Sequence, residues 1–138
     1  MKFFRPDADV YVPPHSRLSP EEALRRTTHL CVVAHQDDIE IMAYAGVAAC
    51  YGRDDRHFTG VVVTDGAGSP RAGKFAGLTD AEMRAVRREE QRRAAEIGRY
   101  ALQVQLAYPS SAVQQPGQPG VHEDLRAIFS ACRPEVVY

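Results

Sequence analysis

The stretch AHQDDIE, residues 34–40, decides the fold that we predict for this chain. It lies between an apolar run at residues 30–33 and an apolar, helix-like run at residues 39–50. A buried strand that leads directly into a helix is typical of α/β proteins, whose ligands bind at the carboxyl ends of parallel strands. The stretch therefore predicts a strand-to-helix junction that carries one histidine and two aspartates at the functional edge of a sheet.

The alternation of strand and helix repeats on both sides of this junction. Strands are predicted at residues 29–34, 58–63 and 102–107, and residues 135–138 have the composition of a fourth strand. Helices are predicted at residues 38–51, 80–97 and 121–132, with a loop at residues 108–120. This order predicts an α/β fold: a Rossmann-like, three-layer parallel sheet with right-handed crossovers.

The chain divides into two parts on this interpretation. Residues 1–28 form an irregular N-terminal arm and a short helix that Ser19 and Pro20 start. Residues 29–138 form the N-terminal part of a single α/β domain. Because the chain stops on its fourth strand, we expect a domain truncated after that strand.

Two helices have patterns that predict how they pack. The helix at residues 38–51 is apolar on almost every side, so we expect it to be largely buried. The helix at residues 80–97 carries a series at spacings of three and four, which we expect to face the core: Met83, Val86, Glu90, Ala94 and Ile97. A carboxylate on that series needs a partner, and Arg87 is the nearest candidate for Glu90.

The composition excludes several classes of protein. The chain has 17 basic and 18 acidic residues among 138, a net charge of −1, so no general nucleic-acid or membrane partner is indicated. No apolar run approaches the ~20 residues of a membrane span, and residues 1–20 lack the apolar core of a secretory signal. The three cysteines, Cys31, Cys50 and Cys132, are expected to be buried free thiols of a reducing compartment. We therefore expect a cytoplasmic enzyme or binding domain.

The junction itself has the composition of a hydrolytic metal site. His35 and Asp38 offer an imidazole nitrogen and a carboxylate oxygen, which first-row metals bind, and Asp37 can face a metal-bound water as a base. A zinc hydrolase uses three protein ligands, and the junction supplies two. The same residues are also compatible with a helix cap formed by either aspartate and a histidine bonded to the backbone.

The junction resembles the AHPDDxE signature of the PIG-L/LmbE-like family of zinc-dependent de-N-acetylases. Further similar segments follow in the family's order: Thr64-Asp65-Gly66, Arg87-Arg88-Glu89-Glu90, Leu106-Ala107-Tyr108-Pro109 and Arg133-Pro134-Glu135-Val136. Members remove acetyl groups from N-acetylglucosamine-type sugars. The resemblance therefore implies a metal-dependent amide hydrolase acting through a metal-bound water on a small N-acetylated sugar or glycoconjugate.

The resemblance also implies individual roles. His35 and Asp38 would bind Zn2+, with Fe2+ or another divalent ion as the alternative. Asp37 would be the general base, and Arg71 would contact the substrate. Gln36 departs from the signature, which has proline there. The resemblance places the third ligand, a histidine, in a segment beyond Tyr138.

Two other functions remain open from the sequence. The chain would be inactive if its two ligands hold metal too weakly. Alternatively, it is a phosphate- or nucleotide-binding α/β module whose glycine-rich loop, residues 66–73, cradles the phosphate; no P-loop lysine or GxGxxG motif supports this. Oligomeric state is not determined by the sequence, but an uncovered fourth strand is compatible with a homo-oligomer.

Overall fold

The computed structural model describes residues 2–115 and 119–138. Its strands are β1 (Asp9–Tyr11), β2 (His29–Val33), β3 (Phe58–Thr64), β4 (Leu102–Tyr108) and β5 (Val136–Val137). Its α-helices are α1 (Pro20–Arg26), α2 (Asp38–Met42), α3 (Tyr44–Cys50), α4 (Asp80–Ile97), α5 (Ser110–Gln114) and α6 (Pro119–Cys132). A short 3-10 helix covers Gly73–Phe75.

The five strands form one sheet in the order β1-β4-β3-β2-β5. The β4, β3, β2 and β5 strands are parallel, which confirms the predicted α/β fold. The prediction of a wholly parallel sheet and an irregular arm is wrong at one edge, because β1 pairs antiparallel with β4. This three-residue strand covers the outer edge of β4, and a short strand at an edge is a common protection against further pairing.

Helices cover both faces of the sheet, as a three-layer fold requires. On one face α1 and α6 pack over the apolar residues of a core that includes Leu30, Val61, Leu102 and Ile128. On the other face α2, α3 and α4 enclose a second core around Val33, Ile39, Phe58 and Tyr100. The three cysteines are buried and free, as predicted, and burial raises the pKa of Cys31 to about 11.

The predicted helix at residues 38–51 is two helices, and it is less buried than expected. Ala43, at φ −116° and ψ 20°, separates α2 from α3. Only the side chains at helical spacing, such as Ile39, Ala43 and Val47, face the core. Met42 and Tyr44 are 73% and 70% exposed, so apolar composition on every side did not imply burial on every side.

The predicted inner face of α4 is correct at Met83 and wrong after it, by a rotation of about one residue. The buried positions are Met83, Gln91 and Ala95, whereas Ile97 is 67% exposed. The Glu90 side chain is 42% exposed; its predicted ion pair with Arg87 is confirmed, at 2.5 Å. The helix turns this way because its inward polar groups find hydrogen-bond partners in the sheet, which an apolar series cannot reveal. A capping box between Thr79 and Glu82 begins the helix at the predicted residue, Asp80.

The rotation of α4 predicts that two neighbouring alanines differ in how much their substitution lowers stability. Ala95→Leu places three extra heavy atoms where the side chain is fully buried, and we expect it to lower the free energy of unfolding by about 1–3 kcal/mol. Ala94→Leu, one residue earlier on the partly exposed side, should change it by less than about 0.5 kcal/mol. Urea unfolding of both variants measures the difference. Equal losses would contradict this orientation of α4.

The segment after β4 contains more helix than the sequence predicted. Residues 110–114 form α5, and α6 begins at Pro119, two residues before the predicted start. The remainder of the predicted loop, residues 116–118, lies outside the described residues. The C-terminal strand β5 pairs with β2, and the Tyr138 ring lies so close to Gly46 that a β-carbon there would be 2.5 Å from it.

Candidate active site

The junction follows the carboxyl end of β2, where the sequence placed it. Asp37 has a left-handed backbone, φ 74°, and α2 begins at the next residue. Aspartate is one of the few residues other than glycine that occupy this region readily. The Asp37 side chain makes no capping hydrogen bond to α2, so it is available for other contacts.

His35 and Asp38 are brought together by the turn. The His35 Nδ1 atom lies 3.4 Å from Asp38 Oδ2, which also accepts a hydrogen bond from the His35 backbone N–H at 3.0 Å. The two side chains are 58% and 34% exposed. Both are therefore accessible from solvent at one edge of the sheet.

The Asp37 carboxylate is held by a residue of α4. Arg87 Nη2 donates to Asp37 Oδ2 at 2.7 Å and to the backbone oxygen of Gln36 at 3.2 Å, while Nη1 pairs with Glu90. Only 18% of the Arg87 side chain is exposed. Its pKa is raised above the usual value: burial opposes the charge, but hydrogen bonds to Asp37 and Glu90 outweigh this. One guanidinium thus connects the turn to α4.

Four buried glutamines form what we call the glutamine layer, between the sheet and α4: Gln36, Gln91, Gln103 and Gln105. Gln36 Nε2 donates to the backbone oxygen of Thr64 at 3.1 Å and reaches Gln105 Oε1 at 3.5 Å. Gln91 Oε1 accepts from the Asp37 backbone N–H at 3.1 Å. The hydrogen bonds of the layer therefore hold the turn at residues 36 and 37 against the carboxyl ends of β3 and β4.

The other end of the layer holds Glu40. Gln91 Nε2 donates to Glu40 Oε1 at 3.1 Å, and the Tyr100 hydroxyl donates to the same oxygen at 2.6 Å. Burial, followed by the hydrogen bond to Glu40, raises the pKa of Tyr100 far above its usual value. Tyr100 is therefore a hydrogen-bond donor at every physiological pH, and it fixes the side of α2 that faces the core.

Two glycines give these side chains room. A β-carbon at Gly60 would lie 2.6 Å from Gln103 Oε1. One at Gly66, which has φ +73°, would lie 2.7 Å from Gln36 Oε1 and 2.8 Å from the β-carbon of Arg87. The Thr64-Asp65-Gly66 segment therefore ends β3 in a form that lets Arg87 and Gln36 approach it closely.

A cleft of ≈ 230 Å³ opens beside Asp37. Its walls are Asp37, the glycine-rich loop at Ser69 and Pro70, and the side of α4 at Val86 and Arg87, with three further residues, Phe75, Met83 and Glu90. A small polar molecule entering this cleft would contact the Asp37 carboxylate.

Arg71 supports the glycine-rich loop. Its guanidinium donates to the backbone oxygens of Leu78 and Ala67, at 2.9 and 3.0 Å, and forms an ion pair with Asp80. The loop thus turns carbonyl groups toward an arginine, an arrangement unlike a phosphate cradle, which presents N–H groups. Among the described residues Arg71 makes no hydrogen bond or ion pair with His35, Asp37 or Asp38.

The residues present fit part of a divalent metal site. Within residues 2–115 and 119–138, no group of three or more His, Cys, Asp or Glu side chains is placed to hold a metal ion. The separation of His35 Nδ1 and Asp38 Oδ2, 3.4 Å, nevertheless matches the about 3.3 Å between two ligands of a tetrahedral zinc with bonds of about 2.0 Å. The pair has the chemistry and spacing of two ligands.

Sequence reasoning missed the residues that support the turn. No buried role was predicted for Gln91, Gln103 or Gln105. Two of them, Gln103 and Gln105, nevertheless alternate with the apolar residues Leu102, Val104 and Leu106. In a central strand with helices on both faces, such alternating glutamines must be buried and hydrogen-bonded, so this pattern was the available signal.

One of three comparisons with known proteins returned a match. A family model described as PIG-L, GlcNAc-PI de-N-acetylase, matches residues 30–138. Searches of curated proteins and of solved structures returned no match. No helix within the described residues is long and apolar enough to cross a membrane. Because the family model covers most of the chain, including the junction and the α4 residues that contact it, this protein belongs to the PIG-L family of de-N-acetylase-type hydrolases.

Proposed function

We propose that this chain removes the acetyl group from an N-acetylglucosamine-type sugar or a related amide, with His35 and Asp38 as metal ligands and Asp37 as general base. The observation that carries the proposal is the convergence of an imidazole nitrogen and a carboxylate oxygen, 3.4 Å apart, next to a second carboxylate at the strand end. The family membership supports an acetamide as the substrate.

His35 and Asp38 would hold a divalent ion, Zn2+ or alternatively Fe2+, and the backbone N–H of His35 orients the Asp38 carboxylate. Such an ion would be a Lewis acid that could polarise a carbonyl oxygen and make water nucleophilic near neutral pH. The Oδ1 atom of Asp37 has no hydrogen bond within the described residues, whereas Oδ2 is held by Arg87. Asp37 therefore has one positioned oxygen and one oxygen that can accept a proton.

The cleft beside Asp37 is the proposed substrate site. Its walls come from the turn at Asp37, from the loop after β3 and from α4, and Asp37, Arg87 and Glu90 offer charged groups to which sugar hydroxyls can hydrogen-bond. Arg71 remains a predicted substrate contact. Its observed hydrogen bonds give it the additional task of holding that loop in place. Cytoplasmic location and homo-oligomerisation also stay predictions.

Metal binding and acetate release test this proposal together. We expect zinc titration of the metal-free protein to show one saturable site and acetate to be released from N-acetylglucosamine derivatives. His35→Ala should weaken zinc binding at least about tenfold, since it removes one of the few ligands. The matched control is His122→Ala, an exposed histidine on α6. Equal zinc affinity in the His35→Ala variant and the unmodified protein would refute this ligand assignment.

A further inference from the structure

A second cavity lies at the end of the sheet opposite His35. Its volume is ≈ 380 Å³, within the range of about 300–1,000 Å³ that small-molecule sites occupy. It is lined by the end of α1 at Arg26, by residues 50–57 before β3, by residues 99–101 before β4, and by the arm at His15. These segments precede the strands, so the cavity is at their amino ends and separate from the cleft beside Asp37.

The lining of this cavity, which we call the arginine pocket, is strongly basic. Four arginines line it, Arg26, Arg53, Arg56 and Arg99, against a single acidic residue, Asp54. Arg53 is neutralised by a two-point ion pair with Asp55, at 2.8 and 2.7 Å. Within residues 2–115 and 119–138, the other three arginines form no ion pair. Three guanidinium groups are thus left without carboxylate partners in a protein of net charge −1.

Two histidines at this end of the sheet have pKa values lowered first by burial and second by a nearby arginine. The pKa of His57 is lowered by burial and then by Arg26, and the pKa of His29 is lowered by burial and then by Arg56. Different arginines therefore act on different histidines. Asp54 and Asp55 oppose Arg26 at His57, and Glu135 opposes Arg56 at His29. The attraction for an anion therefore depends on the excess of arginines in the lining of the cavity itself.

Helix ends explain part of this arrangement but not all of it. The α1, α3 and α4 helices all terminate at this end of the sheet, and basic residues are stabilised near helix carboxyl ends. That effect accounts for Arg26 at the end of α1 and, more weakly, for Arg53 and Arg99, which follow the ends of α3 and α4. It does not account for Arg56, which lies more than a helical turn beyond α3. The helix ends also disfavour an anion, so a ligand with a single charge would gain little.

We propose that the arginine pocket binds a small soluble molecule that carries at least two negative charges on phosphate groups, through Arg26, Arg56 and Arg99. Planar guanidinium groups pair with phosphate oxygens through two parallel hydrogen bonds, which makes arginine suited to such ligands. The pocket is independent of the proposed deacetylase chemistry, because His35, Asp37 and Asp38 are not among the residues that line it. It would hold a phosphorylated ligand or regulator at the opposite edge of the sheet.

Inorganic pyrophosphate, titrated calorimetrically into the metal-free protein at constant ionic strength, tests this proposal. We expect one saturable site. Arg26→Gln, Arg56→Gln and Arg99→Gln should each weaken binding on the order of tenfold, because each removes a charge-assisted hydrogen bond. Asp54→Asn should strengthen binding, since it removes the one carboxylate of the lining. Far-UV circular dichroism and the melting temperature confirm that each variant is folded.

The controls separate the pocket from other causes of binding. Arg126→Gln changes an exposed arginine of α6 that also has no ion pair among the described residues, and it should leave pyrophosphate affinity unchanged. His35→Ala should leave it unchanged too, which distinguishes the pocket from the proposed metal site. Absence of saturable binding, or equal weakening by Arg126→Gln and Arg56→Gln, would overturn the proposal. Neither result would bear on deacetylation.

Discussion

Replacing Asp37 by asparagine is expected to abolish acetate release while leaving the zinc content of the protein nearly unchanged. Asparagine cannot accept a proton near neutral pH, and loss of a general base typically lowers kcat about 10²–10⁴-fold. The substitution spares the structure. An amide oxygen can still accept the Arg87 hydrogen bond, and asparagine tolerates the φ of 74° at this position.

The matched control for this variant is Asp7→Asn. Asp7 also accepts a hydrogen bond from an arginine side chain, Arg5, at 3.1 Å, but it lies in the N-terminal arm. We expect full activity from it. Unaltered turnover by Asp37→Asn would remove Asp37 from the mechanism. Loss of zinc together with activity would instead make Asp37 a metal ligand.

Replacing Arg87 by methionine is expected to lower both activity and stability. The variant loses the contacts to Asp37, to Glu90 and to the Gln36 backbone oxygen, and hydrogen bonds to charged groups contribute about 1.5–3 kcal/mol each at most. Because both carboxylates are partly exposed, we expect a total loss of about 1–3 kcal/mol. A displaced base costs up to about 10²-fold in rate, so kcat should fall toward that value.

Two further variants show whether Arg87 positions Asp37 or only stabilises the fold. Arg93→Met removes another arginine of α4, one that pairs with Glu96 and is 71% exposed, and should change neither quantity measurably. Arg87→Lys keeps the charge but carries its donors on one nitrogen, so it does not reproduce the separate Nη1 and Nη2 contacts and should restore stability more than kcat. If Arg87→Met loses stability but keeps full kcat, Arg87 supports the fold without positioning Asp37.

The fold was largely predictable because its signals are local. The strand cores at residues 58–63 and 102–107, the capping box at Thr79 and the turn at residues 34–38 each depend on neighbours in the sequence. The antiparallel strand β1 was not predictable in this way. Its three residues stand between prolines, and only the pairing with Gln103–Gln105 makes them a strand.

The candidate site was predictable only in part, for the same reason. His35, Asp37 and Asp38 are adjacent in sequence, so their clustering could be read directly, although their roles are still predictions. The partners of Asp37 lie 50 and 54 residues away, on α4. No periodicity of α4 indicates that Arg87 and Gln91 turn inward, because their burial depends on acceptors and donors supplied by the junction itself.

The glutamine layer has a consequence for how α4 is set on the sheet. Apolar side chains contact one another in many nearly equivalent ways, so a purely apolar interface would let a helix slide or rotate by one residue at small cost. Gln91 bonds to the Asp37 backbone and to Glu40 at one orientation only, and any rotation leaves buried amides unpaired. These glutamines therefore select one orientation of α4 on the sheet. They contribute less to the free energy of unfolding than to the uniqueness of the folded state, and they bring Arg87 opposite Asp37 each time the chain folds.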